Sequence, residues 1–213
     1  MFDLPSSTVV DRFLAKDKFY KKTTVAGKLK QQFTDEIEKI TWTHKISPDT
    51  LNVSKDDTIE EIQIFEIVLK GRSISNAVLR HIDSSIPYPI IYVLKRPANG
   101  DCKIATSLKS FKKEYGMKTK NDDFVDTGWS RPSGKFILNG NVMSHIYVGY
   151  IFQIAGIARQ PYSDPRATIE RWEKNKEIKK QMDTIDKKIA TEVSMAKKQE
   201  LARQRHALEQ QLR

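Results

Sequence analysis

Glu60-Glu61-Ile62-Gln63-Ile64-Phe65-Glu66-Ile67-Val68-Leu69-Lys70 is the stretch on which the reading of this chain turns. It opens with alternation, Ile62 and Ile64 against Gln63, and passes into a nearly continuous apolar run of Phe65, Ile67, Val68 and Leu69. Alternation marks a strand with one wet face; a continuous run marks a strand covered on both faces. Pro89-Ile90-Ile91-Tyr92-Val93-Leu94 repeats the second signature. Between the two, Val78, Leu79 and Ile82 recur at helical spacing, with Ser73, Ser75 or Asn76 as cap and Ile86-Pro87 as stop. The pattern predicts an α+β fold: a mixed central sheet of about five or six strands, these two in its middle, flanked by helices.

On the N-terminal side, residues 1–23 form a basic leader in which Arg12, Lys16, Lys18, Lys21 and Lys22 alternate with Phe13, Phe19 and Tyr20. An amphipathic helix follows, with Thr24 as N-cap and Val25, Leu29, Phe33, Ile37 and Ile40 on its apolar face. Residues 41–46 are β-branched and aromatic enough for a strand. Ser47-Pro48-Asp49 turns the chain, and Leu51-Asn52-Val53 is expected to resume extended structure.

On the C-terminal side, Ala98-Asn99-Gly100-Asp101 predicts a hairpin turn pairing residues 89–95 with residues 102–108. Residues 109–123 read as a mobile basic loop, carrying Lys109, Lys112, Lys113, Lys118 and Lys120 among Phe111, Tyr115 and Met117. Residues 124–129 and 135–138 suggest short closing strands. Asn141 is the expected cap of a helix bearing Val142, Ile146, Tyr147, Tyr150, Ile151 and Ile154, with Gly156 near its end.

After Pro165 the composition changes. Residues 166–213 hold no Gly and no Pro, and Ile178, Met182, Ile185 and Ile189 make a partial heptad seam. Glu192 interrupts it, and Leu201, Leu208 and Leu212 resume out of phase, as a stutter or a helical hairpin would require. The expected division is a globular domain over residues 1–162 and a basic helical, coiled-coil-like tail over residues 163–213, either one long helix or a hairpin. That tail holds 13 Lys and Arg against 9 Asp and Glu.

The formal net charge of +10 favours polyanionic partners, nucleic acid first. A single cysteine, Cys102, leaves no disulfide framework and no cysteine-rich zinc site. No apolar run approaches the roughly 20 residues of a membrane span, and nothing near Phe2 resembles a signal peptide, so a cytoplasmic protein is expected. His44, His81, His145 and His206 stand apart, and neither a nucleophile elbow nor a Gly-rich phosphate loop occurs, so no metal and no cofactor is expected. A restriction-type nuclease site would need carboxylates to hold a metal and a lysine to polarise water; Glu36, Asp57, Glu66 and Lys70 are its only approximation, with Val68 where the lysine belongs.

Several blocks, in order, carry a resemblance: Leu4-Pro5 with Ser7-Thr8, Lys18-Phe19-Tyr20, Ile46-Ser47-Pro48 with Thr50, Ile64-Phe65-Glu66-Ile67, Leu79-Arg80 with Ile82-Asp83, and Ile86-Pro87-Tyr88. Trp129 and Gln153-Ile154-Ala155-Gly156 extend it. The chain resembles an uncharacterised bacterial family of domains of unknown function, often encoded beside DNA helicase and DNA methyltransferase genes. That resemblance implies a role in restriction or antiphage defence and supplies no catalytic residues. The expectation is an accessory, non-enzymatic subunit of such a complex. Its tail (Ile178, Met182, Ile185, Ile189, Leu201 and Leu208) would dock on a helicase or methyltransferase, and its basic residues (Arg12 to Lys22 and Lys109 to Lys120, as named above) would touch DNA. A degenerate metal-dependent nuclease is the alternative, and self-assembly through the tail a third reading.

Overall fold

The computed structural model describes residues 2–20, 27–54, 58–118, 124–158 and 164–212. In chain order the first half contains β1 (Phe2–Asp3), β2 (Val9–Phe13), α1 (Gly27–Glu36), β3 (Ile37–Ile46), β4 (Ile62–Leu69), α2 (Asn76–Ser85) and β5 (Ile90–Lys95). The second half contains β6 (Cys102–Ser107), α3 (Lys109–Glu114), β7 (Phe124–Asp126), β8 (Phe136–Ile137), α4 (Met143–Ala155), α5 (Pro165–Thr191) and α6 (Met195–Glu209). Two compact units result, residues 1–159 and 160–213.

The first unit is built on a six-stranded mixed sheet of order β2-β3-β4-β5-β6-β7, with β4 and β5 at its centre. These two are parallel, Phe65 opposite Tyr92 and Ile67 opposite Leu94, while every other neighbouring pair is antiparallel. A parallel pair needs a crossover, and α2 supplies it. Ser75 caps α2, its hydroxyl accepting the Val78 N–H, and Ile86 ends it in extended conformation. Phe65, Ile67 and Leu69 of β4 and Ile90, Tyr92 and Leu94 of β5 join Val78, Leu79 and Ile82 of α2 and Phe33 of α1 in one buried cluster. Each such side chain contributes on the order of 1.5–3 kcal/mol by leaving water. The opposite sheet face is covered over β6 and β7 by α4, whose Ile146, Tyr147, Tyr150, Ile151 and Ile154 are buried. Gly156 in left-handed conformation (φ 67°) closes that helix.

Five local expectations are corrected. The helix of α1 stops at Glu36, and Ile37 and Ile40 belong to β3. A bulge between Ile37 and Lys39 puts these two, three positions apart, on one sheet face against Leu69 and Ile67, and so imitates helical spacing. Thr24 and Val25 lie outside the described residues. Leu51-Asn52-Val53 continues the turn, with the Leu51 N–H bonded to the Ser47 carbonyl, instead of forming a strand. Lys109 to Glu114 is a helix, because Phe111 packs inward and fixes that segment against the core. Residues 136–137 do not close the main sheet; β8 pairs with β1 in a separate parallel ribbon, where the Phe2 and Phe136 rings lie 5.2 Å apart. Val142, not Asn141, occupies the cap position of α4, without a side-chain cap bond.

The leader is structural as well as basic. It supplies β1, the edge strand β2 and the core residue Phe19. The second unit is an antiparallel hairpin: α5 packs against α6 and against the turn at residues 210–212. Asp164 caps α5 ahead of Pro165, and Arg205 of α6 reaches Asp186 of α5 at 2.7 Å.

Candidate nucleic-acid and partner interfaces

Polar side chains concentrate where β4 and β5 begin and β6 ends. Asp83, on the last turn of α2, is buried, and the Lys109 ammonium lies 3.1 Å from its carboxylate. The same ammonium donates to the Asp83 carbonyl at 3.0 Å. Burial pushes the Asp83 carboxyl above its ordinary range, against the pull of Lys109 and of the Ser107 hydroxyl. The Tyr147 hydroxyl donates to the Ser107 carbonyl, and Thr106 donates to the Ile90 carbonyl at 2.8 Å. On the neighbouring strands Glu61 joins Lys45 at 3.1 Å and accepts from Gln63 at 2.6 Å. Lys109 partners one oxygen of the buried Asp83 carboxylate, while the Oδ1 of that carboxylate has no hydrogen-bond partner among the described residues, which agrees with burial dominating its titration.

Beside this network opens a groove of about 660 Å³, lined among others by Glu60, Tyr88, Lys109, Ser110, Lys113 and Glu114. Lys109 and Lys113 are four positions apart on α3 and therefore share its face. Asp83 holds Lys109 in one place, while Lys113 is exposed and Tyr88 half-buried. Two cations beside an aromatic ring can engage a phosphate and stack a base; Glu60 and Glu114, in the same lining, offset part of that positive field.

Among the remaining basic residues singled out from sequence, the described ones do not line that groove. Arg12 is exposed on edge strand β2, and Lys18 is exposed in the short turn Lys16–Phe19. The Lys16 ammonium donates to the Ile37 carbonyl at 2.8 Å, and burial, then repulsion from Lys70, lowers its pKa. Lys118 is exposed. Lys112 is corrected: at 1% exposure it is a core side chain that no external polyanion reaches. Lys21, Lys22 and Lys120 lie outside the described residues. Trp129 has one face covered by the Arg96 guanidinium at 3.5 Å.

Of the four residues of the nuclease approximation, the three described, Glu36, Glu66 and Lys70, do not converge. Asp57 is outside the described residues. The Glu36 carboxylate accepts the Ser75 N–H at 2.7 Å, at the start of α2 and on the Phe65 side of the sheet. Glu66 faces the opposite side by strand alternation and pairs with Lys95 at 2.7 Å. The Lys70 N–H binds the Glu36 carbonyl at 3.0 Å, which tethers the chain after β4 but brings no ammonium to Glu66. Among the described residues no group of three or more His, Cys, Asp and Glu is arranged to hold a metal ion.

In the hairpin, Ile178 and Met182 are buried, and Ile185, Ile189, Leu201 and Leu208 are half-buried. With α5 packed on α6, this seam serves the hairpin itself and is not a free stripe. What the hairpin leaves bare is its tip: Val193 is 90% and Met195 69% exposed. Sequence reasoning gave no functional role to Asp83, Tyr88 or Tyr147, which it named only in the resemblance blocks and on a helix, and did not single out Val193 or Met195. The signal for the tip was present, since Ser194 after the broken seam is a helix cap.

No curated protein and no solved structure matches this chain. The family Domain of unknown function (DUF4391) matches residues 2–212, nearly the whole length of both units, and the chain belongs to that family.

Proposed function

We propose that the chain is an accessory subunit of a bacterial DNA restriction or antiphage-defence complex. Its hairpin docks on a protein partner, a DNA helicase or DNA methyltransferase of the same system, and its globular unit contacts DNA. The observation that carries the docking is the hairpin's construction: a unit of its own, closed by α5 against α6, whose exposed large hydrophobic side chains among the described residues are Val193 and Met195 at the tip. A helix pair that presents hydrophobic side chains to water at its tip is built for a partner. The DNA contact rests on the net charge of +10 and on Lys109 and Lys113 beside Tyr88.

Affinity capture of the full chain from its native host, with and without nuclease, tests the docking. A helicase or methyltransferase recovered in both lysates supports it, and recovery of neither overturns it. For the DNA contact, binding of the full chain to a duplex and to a single strand is titrated against salt. Lys113→Ala is expected to reduce the slope of log affinity against log salt by about one. An unchanged slope removes the groove from the DNA-contacting surface.

A further inference from the structure

The hairpin turns at Glu192-Val193-Ser194 without Gly or Pro. Glu192 makes this possible: its carboxylate accepts the N–H of Val193 at 2.9 Å and of Ser194 at 3.0 Å. These bonds lower its pKa and hold the anion beside the first turn of α6, where a helix N-terminus favours it. Val193 is thereby pushed into solvent at the apex, and Met195 stands beside it on the first turn of α6. Lys187 and Lys188 close α5 and Lys197 and Lys198 open α6, flanking the apex from both helices. None of the four forms an ion pair among the described residues. Beside the apex lies an open notch of about 440 Å³, lined by Lys188, Glu192, Val193, Lys197, Glu200 and Leu201.

We infer that this tip is an anchor that inserts Val193 and Met195 into an apolar pocket with an acidic rim on the partner protein, the rim pairing with Lys188 and Lys197. The inference rests on the docking reading above and specifies its partner's chemistry. Charge complementarity selects that occupant. Glu192 is held on the N–H groups of its own turn and Glu200 lines the notch. Lys187, Lys188, Lys197 and Lys198 outnumber these two carboxylates around the apolar apex, and a surface with carboxylates around an apolar hollow complements both features. A nucleic acid would pair with the lysines and leave Val193 and Met195 wet. A lipid surface would cover them, but two short side chains offer fewer buried carbons than a single myristoyl chain, which by itself holds a protein only marginally. A flat bilayer also leaves the notch empty, whereas a protein ridge fills it. The tip is one hot spot of a larger contact, since a stable interface buries roughly 1,200–2,000 Å².

The test uses the full chain in its host, with a photo-crosslinking amino acid substituted in turn for Val193 and for Lys197, and mass spectrometry of the linked peptides. The expected result is a protein peptide in which Asp or Glu flank apolar residues. That link is expected to weaken with salt and to disappear in the Lys188→Glu/Lys197→Glu variant. A Val193→Asp/Met195→Asp variant should lower capture of the same protein by about tenfold or more, the loss of at least one anchor's worth of contact. Circular dichroism at unchanged helix content shows that neither variant has unfolded. Links to lipid, to nucleic acid or to basic peptides overturn the inference, as does capture that neither variant alters. If affinity capture still yields a helicase or methyltransferase while the tip links to nothing, the tip assignment falls and docking stands. If no protein is recovered by either route, both fall.

Discussion

In residues 1–159 the central strands are covered by helices: α1 and α2 pack on one sheet face and α4 lies over β6 and β7 on the other. In residues 160–213 no side chain of α6 is buried, and α5 and α6 hold together along one seam, buried at Ile178 and Met182 and half-buried elsewhere, and by the Arg205–Asp186 ion pair. Both use Ile, Leu and Met for their apolar contacts, so the difference in burial lies in how many faces each element can cover. A strand in mid-sheet loses water on both sides; a helix in a two-helix hairpin loses it along one stripe. Stability therefore belongs to the sheet, and the hairpin is left with surface to offer. Exposed pairs such as Arg166 with Glu170 add only a few tenths of a kcal/mol to it.

The comparison breaks first, and most visibly, at the centre of the sheet. Phe65→Ala, at a site 1% exposed between β3 and β5, is expected to cost about 3–5 kcal/mol, read as a fall in thermal midpoint of the full chain. A smaller loss would mean that the sheet does not dominate stability. Next in size is Gly140→Ala. Gly140 has φ 143°, and an added Cβ would meet the Ile146 nitrogen at 2.9 Å, so the turn into α4 must shift at a cost of about 1–3 kcal/mol. Urea unfolding measures it.

Asp83→Asn sharpens the comparison through pH. The carboxyl of Asp83 is raised in the folded state above its ordinary value near 3.8, first by burial. The folded protein thus binds this proton more tightly than the unfolded chain does. The stability contributed is fully present below that ordinary value and is lost as pH rises through the folded one. Wild type minus Asp83→Asn is therefore expected to be largest in acid, to decline across that window and to be flat above it. A difference that grows with pH would show that Lys109 outweighs burial. The smallest effect is expected in the hairpin: Arg205→Ala, which removes a partly exposed pair with Asp186, should change stability by less than about 1 kcal/mol. A loss comparable to that of Phe65→Ala would erase the distinction between the units.

Much of the core was legible because its signals are local. The continuous runs at Phe65 to Leu69 and Ile90 to Leu94 required strands covered on both faces, Ser75 and Ile86 bounded α2, and Asn99-Gly100 turned β5 into β6. The candidate site was half legible. Lys109 and Lys113 stood out as lysines among aromatics, but Asp83, which fixes Lys109, is 26 positions away and carries no local mark. Lys112 looked like its neighbours and turned inward, because a six-residue helix anchored by Phe111 decides which of its lysines meet water.

Sequence by itself determined the two central strands, the crossover helix between them and the change of build after Pro165, since periodicity and caps are properties of neighbouring residues. Tertiary structure alone decided that Ile37 and Ile40 belong to a bulged strand, that β8 leaves the main sheet for β1, and that Glu36 and Glu66 face apart. It also decided that the seam closes on itself and leaves Val193 at the apex. Those outcomes depend on which distant surface each segment can cover, and covering apolar area against a partner far along the chain outweighs the modest preferences that a local pattern expresses.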